Sequence, residues 1–187
     1  MNIYKVLSFI LSPPMVGFYV TIIFSLFSPI GLGSINALSS ITVGTIFLTL
    51  VPFGAAYYFT KGIINVDKKE DRVTPYLIGI VGYLVLSAIF WILNVHVMFL
   101  ISMSYVFVAS AVSVINIFWK ISAHTAGTAG PITALIYVFG LNLIPIYLIT
   151  LLTLWVRLKI KAHDILQLIS GAVIAILITS IVYTILW

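Results

Sequence analysis

Few side chains in this 187-residue chain are equipped for chemistry: three histidines, nine lysines and arginines, four carboxylates and no cysteine. Without a thiol there is no disulfide, thiolate zinc site, iron–sulfur cluster or cysteine nucleophile. His96 has no charged neighbour within a turn and reads as an amphipathic anchor or a helix-to-helix hydrogen bond. His124 and His163 differ, because each lies in a segment carrying basic residues (Lys120 before one, Arg157, Lys159 and Lys161 before the other) at the start of an apolar run. An imidazole can attack phosphorus or pass a proton near neutral pH, and a guanidinium forks onto phosphoryl oxygens. Two histidines and two arginines converging would make a phosphoryl-transfer site. Zinc fits less well, since no two histidines have the three- or four-residue spacing of a helical ligand pair and no acid lies near His124.

The elements that must position these groups are set by composition. The chain is 63% apolar and 7% charged, against about a quarter charged in an ordinary globular domain. That balance excludes a soluble enzyme and implies an all-α, polytopic transmembrane bundle forming one domain over residues 1–187. Strands are not expected, because a membrane barrel alternates polar and apolar residues and these runs are apolar throughout. Cutting the runs at charges and at Gly and Pro clusters predicts six or seven spans. Residues 1–11 form an interfacial lead-in that breaks at Ser12-Pro13-Pro14, with no cleavage site of a removable signal peptide. Spans follow over about residues 15–27, 38–60, 76–93, 95–119 and 165–187, with a tight turn near Asn94.

Residues 126–155 fit either one long helix or two short helices turning at Gly140-Leu141-Asn142. The choice fixes topology. A hairpin gives seven spans and puts the N-terminus, residues 61–75, residues 120–124 and residues 157–164 on one face; a single span leaves the last of these alone on the other. Residues 61–75 carry seven of the thirteen charges and must lie in water or among headgroups.

In order along the chain stand Lys68 or Lys69 with Arg72 and Pro75, then Ile121-Ser122-Ala123-His124, then Arg157 with His163 after five intervening residues. This arrangement resembles the type 2 phosphatidic acid phosphatase superfamily over about half the chain. That family carries a Lys followed after six residues by Arg-Pro, then Pro-Ser-Gly-His, then Ser-Arg with a His after five residues and an Asp after three more. The third segment matches in spacing, and a small-residue step, Ser170-Gly171-Ala172, opens the helix behind it. The departures are Ile121 for Pro, Ala123 for Gly, Pro75 three residues beyond Arg72, Asn65 where the first lysine would stand, and Gln167 for the Asp that orients the nucleophile. Lys69 is favoured over Lys68 as the phosphate-binding lysine because one helical turn separates it from Arg72.

The resemblance implies that His163 attacks phosphorus, held in its tautomer by Gln167, while His124 protonates the leaving oxygen and then deprotonates water. Lys69 or Lys68, Arg72, Arg157, Ser122 and the backbone at Ala123 and His124 would cradle the phosphoryl oxygens, with no metal and no cofactor. Asp164 is assigned to helix capping. The chemistry requires all three segments on one side of the bilayer and so predicts the hairpin near Gly140. The expected partner is a membrane lipid of the phosphatidic acid, phosphatidylglycerophosphate or polyprenyl diphosphate class, not a nucleic acid, and the expected location is the cell membrane. The positive-inside rule points the charged face to the cytoplasm, whereas many members of the resembled family act on the outer face. Two other functions fit the same residues: a lipid phosphotransferase on the same fold, and a non-catalytic membrane assembly or lipid-carrier protein.

Overall fold

A computed structural model describes residues 2–60 and 72–187, and all regular structure among them is helical. Lys68 and Lys69 lie outside the described residues. Helix α1 (Ile3–Ile10) starts at Asn2, whose side chain accepts from the Tyr4 N–H at 3.0 Å. Pro13 and Pro14 then open α2 (Pro13–Phe27) instead of ending a helix, since a proline in the first turn gives up only an N–H that has no intrahelical partner. The two helices meet at 48°.

Helix α3 (Ala37–Thr45) is capped by Asn36, which accepts from Ser39 N–H at 2.8 Å. It runs through a widened π turn, Ile46–Leu50, into α4 (Val51–Phe59). Pro52 brings no N–H to the Leu48 carbonyl one turn back, and the backbone widens there. That carbonyl faces Gly17 of α2 so closely that a Cβ on Gly17 would stand 2.8 Å from it. Helices α5 (Val73–Ile92) and α6 (His96–Phe118) form a hairpin through Asn94, whose φ of 56° falls in the left-handed region that asparagine tolerates.

Helix α7 (Ala123–Phe139) ends at Gly140, where φ is 101°. The chain reverses there into a 3₁₀ segment, Leu141–Tyr147, and α8 (Leu148–Lys159), then crosses again as α9 (Ile165–Leu186). Residues 126–155 are therefore two helices turning at Gly140. At its far end α7 meets the far ends of α2 and α9: Phe139 stacks on Phe24 with centroids 6.0 Å apart, and Tyr137 shares a 3.2 Å hydrogen bond with Thr184.

Among the described residues five helices are long and apolar enough to cross a membrane, six when the bent α1–α2 pair is one span. Helix α7, 17 residues or about 25 Å, is enclosed by the others with most of its side chains buried. The chain is thus an all-α polytopic helical bundle. Phe24, Leu86, Phe90, Met98 and Tyr183 form its dry centre. The outside is as apolar as the inside: Leu38, Ile92, Phe118 and Leu141 are each at least 74% exposed. A soluble monomer does not present such a surface to water, and hydrocarbon covers it at no cost.

Candidate active site

The site begins where two helix starts are tied together. Ser122 is the N-cap of α7 and is fully buried; its Oγ accepts from the Thr125 N–H at 3.3 Å. Its own N–H donates to the backbone carbonyl of Gln167 at 3.2 Å, and the Thr125 hydroxyl donates to the Leu168 carbonyl at 2.8 Å. The first turns of α7 and α9 can approach this closely because Gly171 lies between them. A Cβ there would run into the Ser122 carbonyl and the Thr125 hydroxyl. The small-residue step at 170–172 has this packing role.

His163 hangs from the loop entering α9. Lys161 at φ 54° turns the chain, and Ala162 N–H closes the turn on the Arg157 carbonyl at 3.1 Å. Asp164 caps α9, accepting from Gln167 N–H at 2.9 Å, and Gln167 answers with its Oε1 on the Asp164 N–H at 3.4 Å, a capping box. The same Oε1 lies 3.0 Å from Nδ1 of His163. Since Oε1 only accepts, the hydrogen-bond pattern assigns the His163 proton to Nδ1 and leaves a lone pair on Nε2. His163 is 8% exposed. Burial, then the guanidiniums of Arg157 and Arg72, pull its pKa down to about 4, and the Gln167 hydrogen bond opposes them only in part. The ring is neutral at physiological pH.

His124 is the second residue of α7. Its Nε2 is buried with no hydrogen-bond partner. Ser8 of α1 reaches the site as well: its hydroxyl accepts from Arg157 Nη1 at 2.9 Å. Arg72, at the head of α5, donates to the Ile121 carbonyl at 3.5 Å and shares a hydrogen bond with the Tyr76 hydroxyl one turn on.

Arg72, Ala123, His124, Arg157 and His163 line one cavity of about 210 Å³, and no carboxylate is among the described residues around it. Gln167 stands behind His163. Ser122 stands behind Ala123 and does not line the cavity, its hydroxyl being committed to the cap. His96 lies at the other end of α6, packed on Phe99. Sequence reasoning missed Ser8 and Tyr76. The i, i+4 relation of Tyr76 to Arg72 was available as a signal; for Ser8, on a short apolar helix far along the chain, there was none.

Two imidazoles, one with an oriented lone pair, and two guanidiniums line one small cavity, a set of groups with the chemistry to hold an anion. No protein-family model matches the chain, and neither does any curated protein or solved structure.

Proposed function

We propose that this protein is a membrane phosphatase acting on a lipid phosphate or diphosphate through a phosphohistidine, in the manner of the type 2 phosphatidic acid phosphatase superfamily. The observation that carries the reading is the pairing across one cavity of His163, whose Nε2 holds the lone pair, with His124, whose Nε2 is buried and unpartnered. Nε2 of His163 attacks phosphorus, and the bond from phosphorus to the leaving oxygen breaks as His124 hands that oxygen a proton. His124 gains this proton as the phosphate enters, because an anion beside an imidazole raises its affinity for hydrogen ions. In the second half His124 takes a proton from water, whose oxygen displaces His163 from phosphorus and releases inorganic phosphate. Arg72 and Arg157 hold the phosphoryl oxygens, aided by the free backbone amides at the start of α7.

Lys69, or Lys68 beside it, is proposed as a further phosphate ligand on resemblance alone. The lipid assignment rests on the site opening among apolar helices, where a tail stays in hydrocarbon while the headgroup meets the charges. A cell-membrane location belongs to the same proposal. Purified protein in detergent, given lipid phosphates in the presence of a chelator, is expected to release inorganic phosphate. Vanadate blocks the release, and His163→Ala abolishes it. Release that persists in His163→Ala at the wild-type rate rejects the mechanism.

A further inference from the structure

Several hydroxyl groups line the cavity away from its charged end. Tyr83 of α5 is 6% exposed, and its ring lies back over Gly79, where a Cβ would stand 3.7 Å from the Tyr83 hydroxyl. Gly79 lines the cavity seven positions beyond Arg72, about 10 Å along the helix. Having no side chain, it leaves open the space beside that hydroxyl, which shares no hydrogen bond with any described residue. The Tyr105 ring meets Tyr83 edge to face, with centroids 5.1 Å apart. Tyr105 and Thr179 line the same cavity and bury hydroxyls without partners. Gly127 lines it too, and Pro131 brings no N–H to the Gly127 carbonyl one turn back.

Hydroxyls and a carbonyl left like this inside a membrane bundle carry a desolvation cost until a polar partner meets them. Hydrocarbon offers none. Water does, since it both donates and accepts, and an internal water settles where about two to four polar groups surround it. The cavity volume of about 210 Å³ far exceeds the roughly 10–15 Å³ that one molecule requires.

Resting for its role on the phosphatase reading above, we infer that Tyr83 holds a water molecule inside the cavity, in the space Gly79 leaves open, and that this water serves the second half of the reaction. A phosphate between Arg72 and Arg157 occupies the charged end, and the water needed to release it is already inside. The water oxygen bonds to phosphorus as the bond from phosphorus to Nε2 of His163 breaks, and its proton passes to His124. Tyr83 is a positioning residue that acts through the water and does not touch the phosphate.

The first experiment locates the water without any substrate. A brief X-ray pulse turns water into hydroxyl radicals where it stands, and mass spectrometry reads which rings of the intact, detergent-purified protein are oxidised. Tyr83 is expected to be oxidised severalfold faster than Tyr183, which is 0% exposed. Gly79→Leu fills the space and brings Tyr83 down to the level of Tyr183. Labelling of Tyr83 is expected to persist with vanadate bound. A Tyr83 no more oxidised than Tyr183 overturns the water site, and loss of its labelling under vanadate overturns the reserve.

The second experiment runs turnover of a lipid phosphate in glycerol solutions and reads the ratio of inorganic phosphate to glycerol phosphate, the two fates of the phosphohistidine. Tyr83→Phe is expected to lower that ratio by about 2–10-fold, the worth of one neutral hydrogen bond. An unchanged ratio overturns the role in hydrolysis, because a merely structural tyrosine slows both fates alike. Oxidation of Tyr83 with no phosphate released from any ester keeps the water site and rejects the phosphatase reading. Phosphate release with a dry Tyr83 does the reverse.

Discussion

Ser122 and Gln167 are joined backbone to backbone, N–H to carbonyl at 3.2 Å, so the start of α7 and the start of α9 move as one piece. Both His124 and the side chain that orients His163 hang from this junction. His124 is two residues beyond Ser122, and the side chain of Gln167 sets the His163 ring. The relative placement of the two imidazoles is thus set by helix starts, which are stiff, rather than by a loop alone.

Gln167 is expected to be replaceable by Glu without loss of fold, since either residue completes the capping box with Asp164. The carboxylate would favour the imidazolium and raise the His163 pKa from about 4. The acid limb of kcat/KM for Gln167→Glu should move to higher pH than that of wild type on the same substrate, a comparison that cancels the substrate's own ionisation. Gln167→Ala should lower kcat by about 10–100-fold, the usual cost of removing the partner that orients a reactive imidazole. An unmoved acid limb in Gln167→Glu argues against His163 as the nucleophile.

Stability carries the same signature with a definite sign. In the unfolded chain His163 titrates near its ordinary value of about 6.5, whereas in the fold it holds out to about 4. The unfolded state therefore takes the proton first. The contribution from keeping this ring neutral is complete above about pH 6.5 and is lost as the pH falls toward 4. Thermal midpoints in detergent should fall across that window, and by less in His163→Ala than in wild type.

Ser8→Ala removes the hydroxyl that accepts from Arg157 at 2.9 Å. A hydrogen bond to a charged group is worth about 1.5–3 kcal/mol, and its loss frees the Arg157 guanidinium, a proposed phosphate ligand, to misalign. A rise in KM larger than the fall in kcat is expected, measurable with any substrate the protein accepts. An unchanged KM would show that α1 has no part in the site.

Gly171→Ala tests the junction itself. Its Cβ meets backbone at Ser122 rather than the far end of a flexible side chain, so α9 must move away from α7. Overpacking of this kind costs about 1–3 kcal/mol, and the shift separates His163 from His124. A lower thermal midpoint together with a loss of activity at temperatures where the variant is still folded is the expected result, read by unfolding and phosphate-release assays on one sample.

Much of this arrangement was legible in the sequence because apolar runs in lipid have one outcome. The run over residues 38–60 became the 23-residue rod Ala37–Phe59, and Asn94 turned where its polarity interrupted two apolar runs. Residues 126–155 were not legible from periodicity, since α7 is buried over most of its length and shows no amphipathic stripe to mark a face. The need to bring Arg157 to His124 picked out the Gly140 turn, which hydropathy could not. The Pro13-Pro14 pair was legible as a break but not as a helix start. Ser8 was invisible because its partner, Arg157, is 149 residues away and met only through the fold.

The direction of the chain through the bilayer can be read with single cysteines, because the protein has none of its own. Lys120 and Lys161 flank the site, at the end of α6 and between α8 and α9, while Asn94 and Asn142 stand at the opposite turns. In sealed vesicles an impermeant thiol reagent should label Lys120→Cys and Lys161→Cys from one side, and Asn94→Cys and Asn142→Cys from the other. On the proposed function, the side holding 120 and 161 is the side on which phosphate is released. The decisive pair is 142 and 161, since α8 alone separates them. If both label from the same side, α8 does not cross, Arg157 and His124 have no common face to share, and the phosphatase reading fails with them.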